Sequence, residues 1–483
     1  MADTRALLDR IAAFRRRLDQ TPTLIPDGVP ADEPPSAAAL VAEPERLNRA
    51  VERLAPPAAE GQLPARLTAR AHRLLVDARG LIAEQKKLAD DPLLTALVRH
   101  SVGVPTAATD PLVRYHRGTV GLTESALRMV QAFPAGVEAQ LRGCDGLESL
   151  LGVVRNRLGV LAHAVELRRN DRRRLDQLSG YLLAMHGGRA VGLDPFVNLA
   201  EEILDDARQA ARIRWQAADL LDPDADSPTH AVARFVAAHA LNVAQVMARL
   251  LPHDYEWAAK PVVPVVAALV MDVGMIAVPR EILADPKELG PDDRRAIEAH
   301  AARSGDLVRR LLPETGPLAD VIVAHHERVD GAGYPAGLRA DDVPPLARFL
   351  AAADNYAARV ADRPHRLGSD PRTALTDTML AAEQGQLDRD FTEYLLHLSF
   401  HPVGTVVELV DGRTAVVAAV HTNKTNLRAA SRPVVAVLTD ADGRPLPRPE
   451  FVDLAAADRG GIVRALPAAE RRQRLGEWYP DLC

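Results

Sequence analysis

The stretch His325-His326-Glu327-Arg328-Val329-Asp330-Gly331-Ala332-Gly333-Tyr334-Pro335 restricts the fold of this chain more than any other. Two adjacent imidazoles are followed by a carboxylate and by a turn built from Gly331, Gly333 and Pro335. Neighbouring side chains on a helix point about 100° apart, so both rings reach one metal ion only if it lies off the helix end. That helix end must face inward, and other elements must bring further ligands to it. Glycine, tyrosine and proline then make a rigid loop that holds one aromatic hydroxyl close by.

The chain has the material for such an interior. Its 483 residues suffice for roughly two to four domains. With only 8 Phe, 7 Tyr and 3 Trp, the core must be mostly Leu, Val and Ala, which suits helices. A net charge of −6 gives no electrostatic reason to expect nucleic acid as a partner. Arg168, Arg169, Arg172, Arg173 and Arg174 form a local basic run that reads as a solvated helix face. Two cysteines, Cys144 and Cys483, point to a reducing compartment. Ala2-Asp3-Thr4-Arg5 leads into an amphipathic helix rather than a signal peptide, so a cytoplasmic location is expected. The apolar run Val262 to Val273 is interrupted by Pro264 and Asp272 and is too short to span a bilayer, so no membrane insertion is expected.

Taken in order, residues 1–21 read as an N-terminal helix, with Leu7, Ile11, Phe14 and Leu18 on one face. Residues 22–63 read as a proline-rich linker, interrupted by a short helical piece at 44–54. Residues 64–225 read as a helical domain of open role, with breaks near Val102–Pro111, Gly143–Gly146 and Gly187–Pro195. A helical bundle is expected over 226–400. At 401–460 the period changes to two, with turns at Asp411-Gly412 and Asp442-Gly443, which predicts a small barrel-like β module. A C-terminal tail, 461–483, follows. The predicted class is mainly α, with helical N-terminal and central regions and a small β module near the C-terminus.

Inside the bundle, apolar periodicity turns several metal-binding residue types inward. His239 lies in the seam Val232, Val236, Val243, Val246 and Leu250; His300 shares a face with Ile297, Ser304, Leu307 and Leu311. Asp354 sits among Leu350, Ala351 and Ala357, where a lone carboxylate is costly unless paired or metal-bound. With Asp272, His325 and His326, six imidazole or carboxylate groups converge, a donor set that suits Fe or Mn and also Zn. The valine-rich Pro261–Val278 has the local propensity of a buried strand.

The run from His325 to Pro335 resembles the signature of the HD-GYP family, metal-dependent phosphohydrolases of bacterial cyclic di-GMP signalling. The resemblance covers about residues 228–399. It places Pro261–Met271 in the family's central helix, so helix is expected there against local propensity. It implies two divalent ions. Asp272 would bridge them and be central to catalysis. His300, His325 and His326 would complete one ion, and His239 and Asp354 would hold the other. Tyr334 would stand by the substrate as a catalytic and binding residue, and Arg363 and Arg366 would hold its phosphates. Two departures stand out: Met271 replaces the motif histidine, and Met275 replaces a lysine. A thioether is a poor ligand for a hard ion, so one of the two sites is expected to be weakened. Phe235 stands where a third-ion glutamate would be, and His365 replaces a tyrosine. Two readings stay open. One is a phosphodiesterase of lowered activity on cyclic di-GMP or a related cyclic nucleotide. The other is an inactive signalling protein that binds metal or nucleotide and recruits protein partners.

Overall fold

The computed structural model describes residues 36, 39–40, 65–102, 109–131, 137–209, 212–221, 227–285, 290–361, 368–421, 432–456, 461–476 and 478–482. The expected helix over 1–21, the 44–54 piece, and Arg363, His365 and Arg366 lie outside these described residues.

The first part is helical: α1 (Ala65–Ala89), α2 (Pro92–His100), α3 (Pro111–Gln131), α4 (Val137–His186) and α5 (Asp194–Arg208). The Asp91 side chain accepts from Leu93 N and Leu94 N, capping α2, and Pro92 takes the first turn, where its missing N–H costs nothing. The break predicted at Gly143–Gly146 is absent, and α4 runs through it. Two internal glycines cost about 1 kcal/mol each, but Cys144, Leu147 and Leu150 are buried around them and offset that cost. Gly146 also admits Met129 of α3, whose Cε lies 3.1 Å from where a Cβ would stand. The arginine run is fully ion-paired, with Arg173 to Glu202 at 2.6 Å and Arg174 to Asp206 at 2.6 Å, while Arg168, Arg169 and Arg172 each meet an acidic side chain.

Residues 212–219 were also expected to be helical and are not. This segment runs along α6 (Pro228–Leu250) without regular structure, and side-chain amides take the place of its lost helical bonds. Gln245 exchanges two hydrogen bonds with the Arg214 backbone (3.0 and 2.9 Å), and Asn242 does the same for Gln216 (2.7 and 2.9 Å). Helix α6 is the axis of the main core. By length and apolarity it could cross a membrane, but 83% of that window is buried inside the protein.

Helix α7 (Val262–Val270) follows, helical despite its valines. It packs against α5 and α6 and is buried from Pro264 to Val270, so burial overrides strand propensity. Pro264 falls in its first turn, where the N–H would have no helical partner. A 3₁₀ turn (Val273–Ala277) leads to α8 (Arg280–Ala284), α9 (Pro291–Leu311), α10 (Leu318–Val323), α11 (Pro345–Val360), α12 (Pro371–Glu383) and α13 (Arg389–Glu393).

The C-terminal module is an antiparallel sheet in the order β4-β3-β2-β1-β5. Its strands are β1 (Val406–Leu409), β2 (Thr414–Ala419), β3 (Val434–Thr439), β4 (Pro445–Asp453) and β5 (Ile462–Ala465). Gly412 and Gly443 take φ of +83° and +81° in the two predicted turns. The module does not end at 460. Strand β5 pairs with β1, and Leu466, Leu475, Tyr479 and Leu482 bury one face of the sheet. Both faces carry buried apolar side chains, so the sheet needs this cover, and the expected tail is part of the module.

Candidate metal centre

Three elements build the centre. Asp272 follows the C-terminus of α7, His300 lies midway along α9, and His325 and His326 sit on the turn just beyond α10. The last pair is therefore off a helix end, which lets both rings face one point. One ligand atom from each of Asp272, His300, His325 and His326 lies within 4.8 Å of all the others.

Hydrogen bonding fixes the ring states. His300 Nδ1 donates to Ile297 O at 2.7 Å, and His325 Nδ1 donates to Ile322 O at 2.5 Å. In that tautomer each Nε2 carries a lone pair, and both point at Asp272 Oδ1, at 3.0 and 3.4 Å. All three atoms are buried and have no hydrogen-bond partner among the described residues. Two lone pairs aimed at a carboxylate oxygen repel unless a cation lies between them, so these residues fit a divalent ion. Burial pushes His326 well down, which keeps it neutral and free to ligate.

The approach of Asp272 to His300 depends on a glycine and a serine. Gly274 N donates to Ser304 Oγ at 2.9 Å, and a Cβ on Gly274 would stand 2.4 Å from His300 O. His239 Nε2 is 2.7 Å from Asp354 Oδ1 and 3.8 Å from Asp272 Oδ2. The hydrogen bond with His239 outweighs burial and brings Asp354 down to about 2. Met271 is fully buried in the apolar core, and Met275 packs against that core.

The glycine loop folds over the histidine turn. Glu327 is buried and accepts from Ala336 N at 2.6 Å and Leu338 N at 2.9 Å, tying the loop's far side to the histidine turn. Gly333 has no room for a side chain: a Cβ would lie 2.3 Å from Arg328 N. This brings the Tyr334 ring to 4.8 Å from His326 and 6.3 Å from His300. Burial, with Asp272 and Asp354 nearby, raises the Tyr334 phenol, so it stays a hydroxyl at neutral pH. Of the expected residues, the structure thus brings Asp272, His300, His325, His326 and Tyr334 together, with His239 and Asp354 adjoining. Glu327 and Ser304 were not singled out as functional. Glu327 stands within the signature run and Ser304 on the inward face of His300, so pattern could have flagged them; their backbone partners could not be read from it.

Residues 207–391 match the HD domain family, and residues 406–474 match the KOW domain associated with HD domain. Over 206 residues the chain is 31% identical to a protein of Pseudomonas aeruginosa named cyclic di-GMP phosphodiesterase, covering 42% of this chain and 48% of that one. It is 39% identical over 100 residues to a 3'3'-cGAMP-specific phosphodiesterase of Vibrio cholerae, covering 21% and 22%. It is 33% identical over 124 residues to a cyclic di-GMP phosphodiesterase response regulator of Xanthomonas campestris, covering 25% and 32%. The chain spans about half or less of the length of these curated relatives.

Proposed function

This chain is an HD-domain protein of the HD-GYP family, and from that premise we propose that it hydrolyses a cyclic dinucleotide, cyclic di-GMP or cyclic GMP-AMP, with a bound divalent metal ion. The observation that carries the proposal is the meeting of two imidazole lone pairs and a carboxylate oxygen, all buried and unpartnered. Asp272, His300, His325 and His326 would hold the ion. When bound, such an ion supplies Lewis acidity toward a phosphoryl oxygen and activates a nucleophile at neutral pH.

The protein's own groups supply orientation. Ile297 O and Ile322 O fix His300 and His325 with Nε2 inward. Glu327 holds the loop so that the Tyr334 hydroxyl, a neutral donor, stands beside the centre where a phosphate oxygen would bind. Arg363 and Arg366 are the proposed phosphate-holding cations, planar groups suited to two oxygens at once. Signalling through protein partners belongs to the same proposal.

The buried Met271, and Met275 packed against the same core, favour a second reading, in which the centre binds metal and nucleotide without turnover. One experiment separates the two. Metal content of the purified protein is measured together with hydrolysis of cyclic di-GMP and 3'3'-cGAMP, with Mn or Fe supplied. Hydrolysis that disappears in Asp272→Asn supports the enzyme. Bound metal with no hydrolysis of either nucleotide refutes it and leaves the binding protein.

A further inference from the structure

The polar atoms around the two expected ion positions are in opposite states. At the first, Asp272 Oδ1, His300 Nε2 and His325 Nε2 are buried and unpartnered. At the second, His239 Nε2 and Asp354 Oδ1 bond each other at 2.7 Å, and neither atom is left unsatisfied. Two ligands about 2.1 Å from one ion, at right angles, stand about 3.0 Å apart. The Asp272 distances of 3.0 and 3.4 Å to His300 and His325 match that spacing, whereas the His239–Asp354 distance is that of a hydrogen bond.

The surroundings of the second position agree. Met271, where an imidazole ligand would be needed, is fully buried in the apolar core. Thioether sulfur offers little to a hard divalent ion. Helix α6 carries His239 and α11 carries Asp354, and these helices pack directly against each other. The imidazole–carboxylate bond thus closes the gap between them by itself. The residues at this position do not fit a second ion.

We infer that this chain has a mononuclear metal centre: Asp272, His300, His325 and His326 hold one ion, and the His239–Asp354 pair takes the place of the second. The inference rests on the metal reading proposed above. His239 and Asp354 are structural partners across the α6–α11 contact, not ligands.

The test uses the full chain, saturated with Mn(II) and freed of loose ion by gel filtration. Bound Mn is counted by elemental analysis, and the electron paramagnetic resonance spectrum reports whether ions are coupled. His325→Ala serves as the blank. The wild-type protein is expected to hold close to one Mn per chain and to give the six-line signal of an isolated ion. Asp354→Asn is expected to keep that stoichiometry and signal, because it removes a hydrogen-bond partner and no ligand. Its folding is checked by circular dichroism, and His239→Gln, which keeps a donor to Asp354, is the second variant. Two Mn per chain, a spin-coupled spectrum, or Mn lost in both second-position variants overturns the mononuclear centre while the metal reading stands. No Mn above the His325→Ala blank overturns the metal reading itself.

Discussion

Replacing Gly274 by alanine adds one methyl group where the 3₁₀ turn after Asp272 crosses α9. The new Cβ would meet His300 O at 2.4 Å, Ser304 N at 2.7 Å and Arg303 Cβ at 2.8 Å. Two of these are backbone atoms of a helix and cannot rotate away, so the turn must retreat by roughly 1 Å to restore ordinary contact. Overpacking of this kind costs about 1–3 kcal/mol. Losing the Gly274 N to Ser304 Oγ bond adds about 1 kcal/mol. The expected destabilisation is therefore about 2–4 kcal/mol, which lowers the melting temperature by roughly 5–15 °C for a domain of this size. The retreat also carries Asp272 away from His300 Nε2, now 3.0 Å distant. Disturbing such supporting contacts weakens metal binding about 10–100-fold. Mn affinity by calorimetric titration and thermal melting, measured on the same samples, check both effects. Gly152→Ala is the control, since nothing lies within 4 Å of its Cβ and it sits inside α4. A Gly274→Ala protein that melts lower but binds Mn with unchanged affinity would refute the claim that this crossing positions the ligands.

Other outcomes follow from the same structure. Glu327→Gln puts an amide NH₂ against the backbone N–H of Ala336 or Leu338, at about 2–4 kcal/mol of local stability; Mn stoichiometry should persist while kcat/KM falls at least about tenfold. Met271→His is expected to add a second, weaker class of bound Mn and to raise turnover by about tenfold, or roughly 1.4 kcal/mol of barrier; unchanged stoichiometry in a folded variant counts against it. His116 is fully buried, and burial lowers it to about 4 from 6.5. The unfolded chain takes up this proton near pH 6.5 and the folded chain only near 4, so stability is full above 6.5 and falls as pH drops between them. At pH 5 the loss is about 2 kcal/mol, and urea midpoints at pH 7 and 5 should diverge less in His116→Leu.

The helical class and the change to strand at residue 401 were legible because apolar periodicity follows directly from which face is buried. The inward histidines of α6 and α9 were legible for the same reason. Where local chemistry and packing disagreed, periodicity misled. Gly143 and Gly146 look like a helix break, yet the surrounding core holds α4 continuous. Residues 212–219 have no breaker to announce their non-helical path, which depends on Asn242 and Gln245 of another helix. Residues 461–483 were expected to be a tail, but the open face of the sheet recruits Leu466, Leu475, Tyr479 and Leu482.

By itself, then, the sequence determined which side chains carry metal-binding chemistry and which helix faces turn them inward, because residue type and period are local properties. Only the tertiary structure decided how the six are divided. That Asp272 Oδ1 faces two imidazole lone pairs, while His239 and Asp354 satisfy each other, depends on distances between elements far apart in the chain. These distances are set by the Gly274 crossing and the α6–α11 contact, and hydrogen bonding there turns on tenths of an ångström that no spacing along the chain encodes.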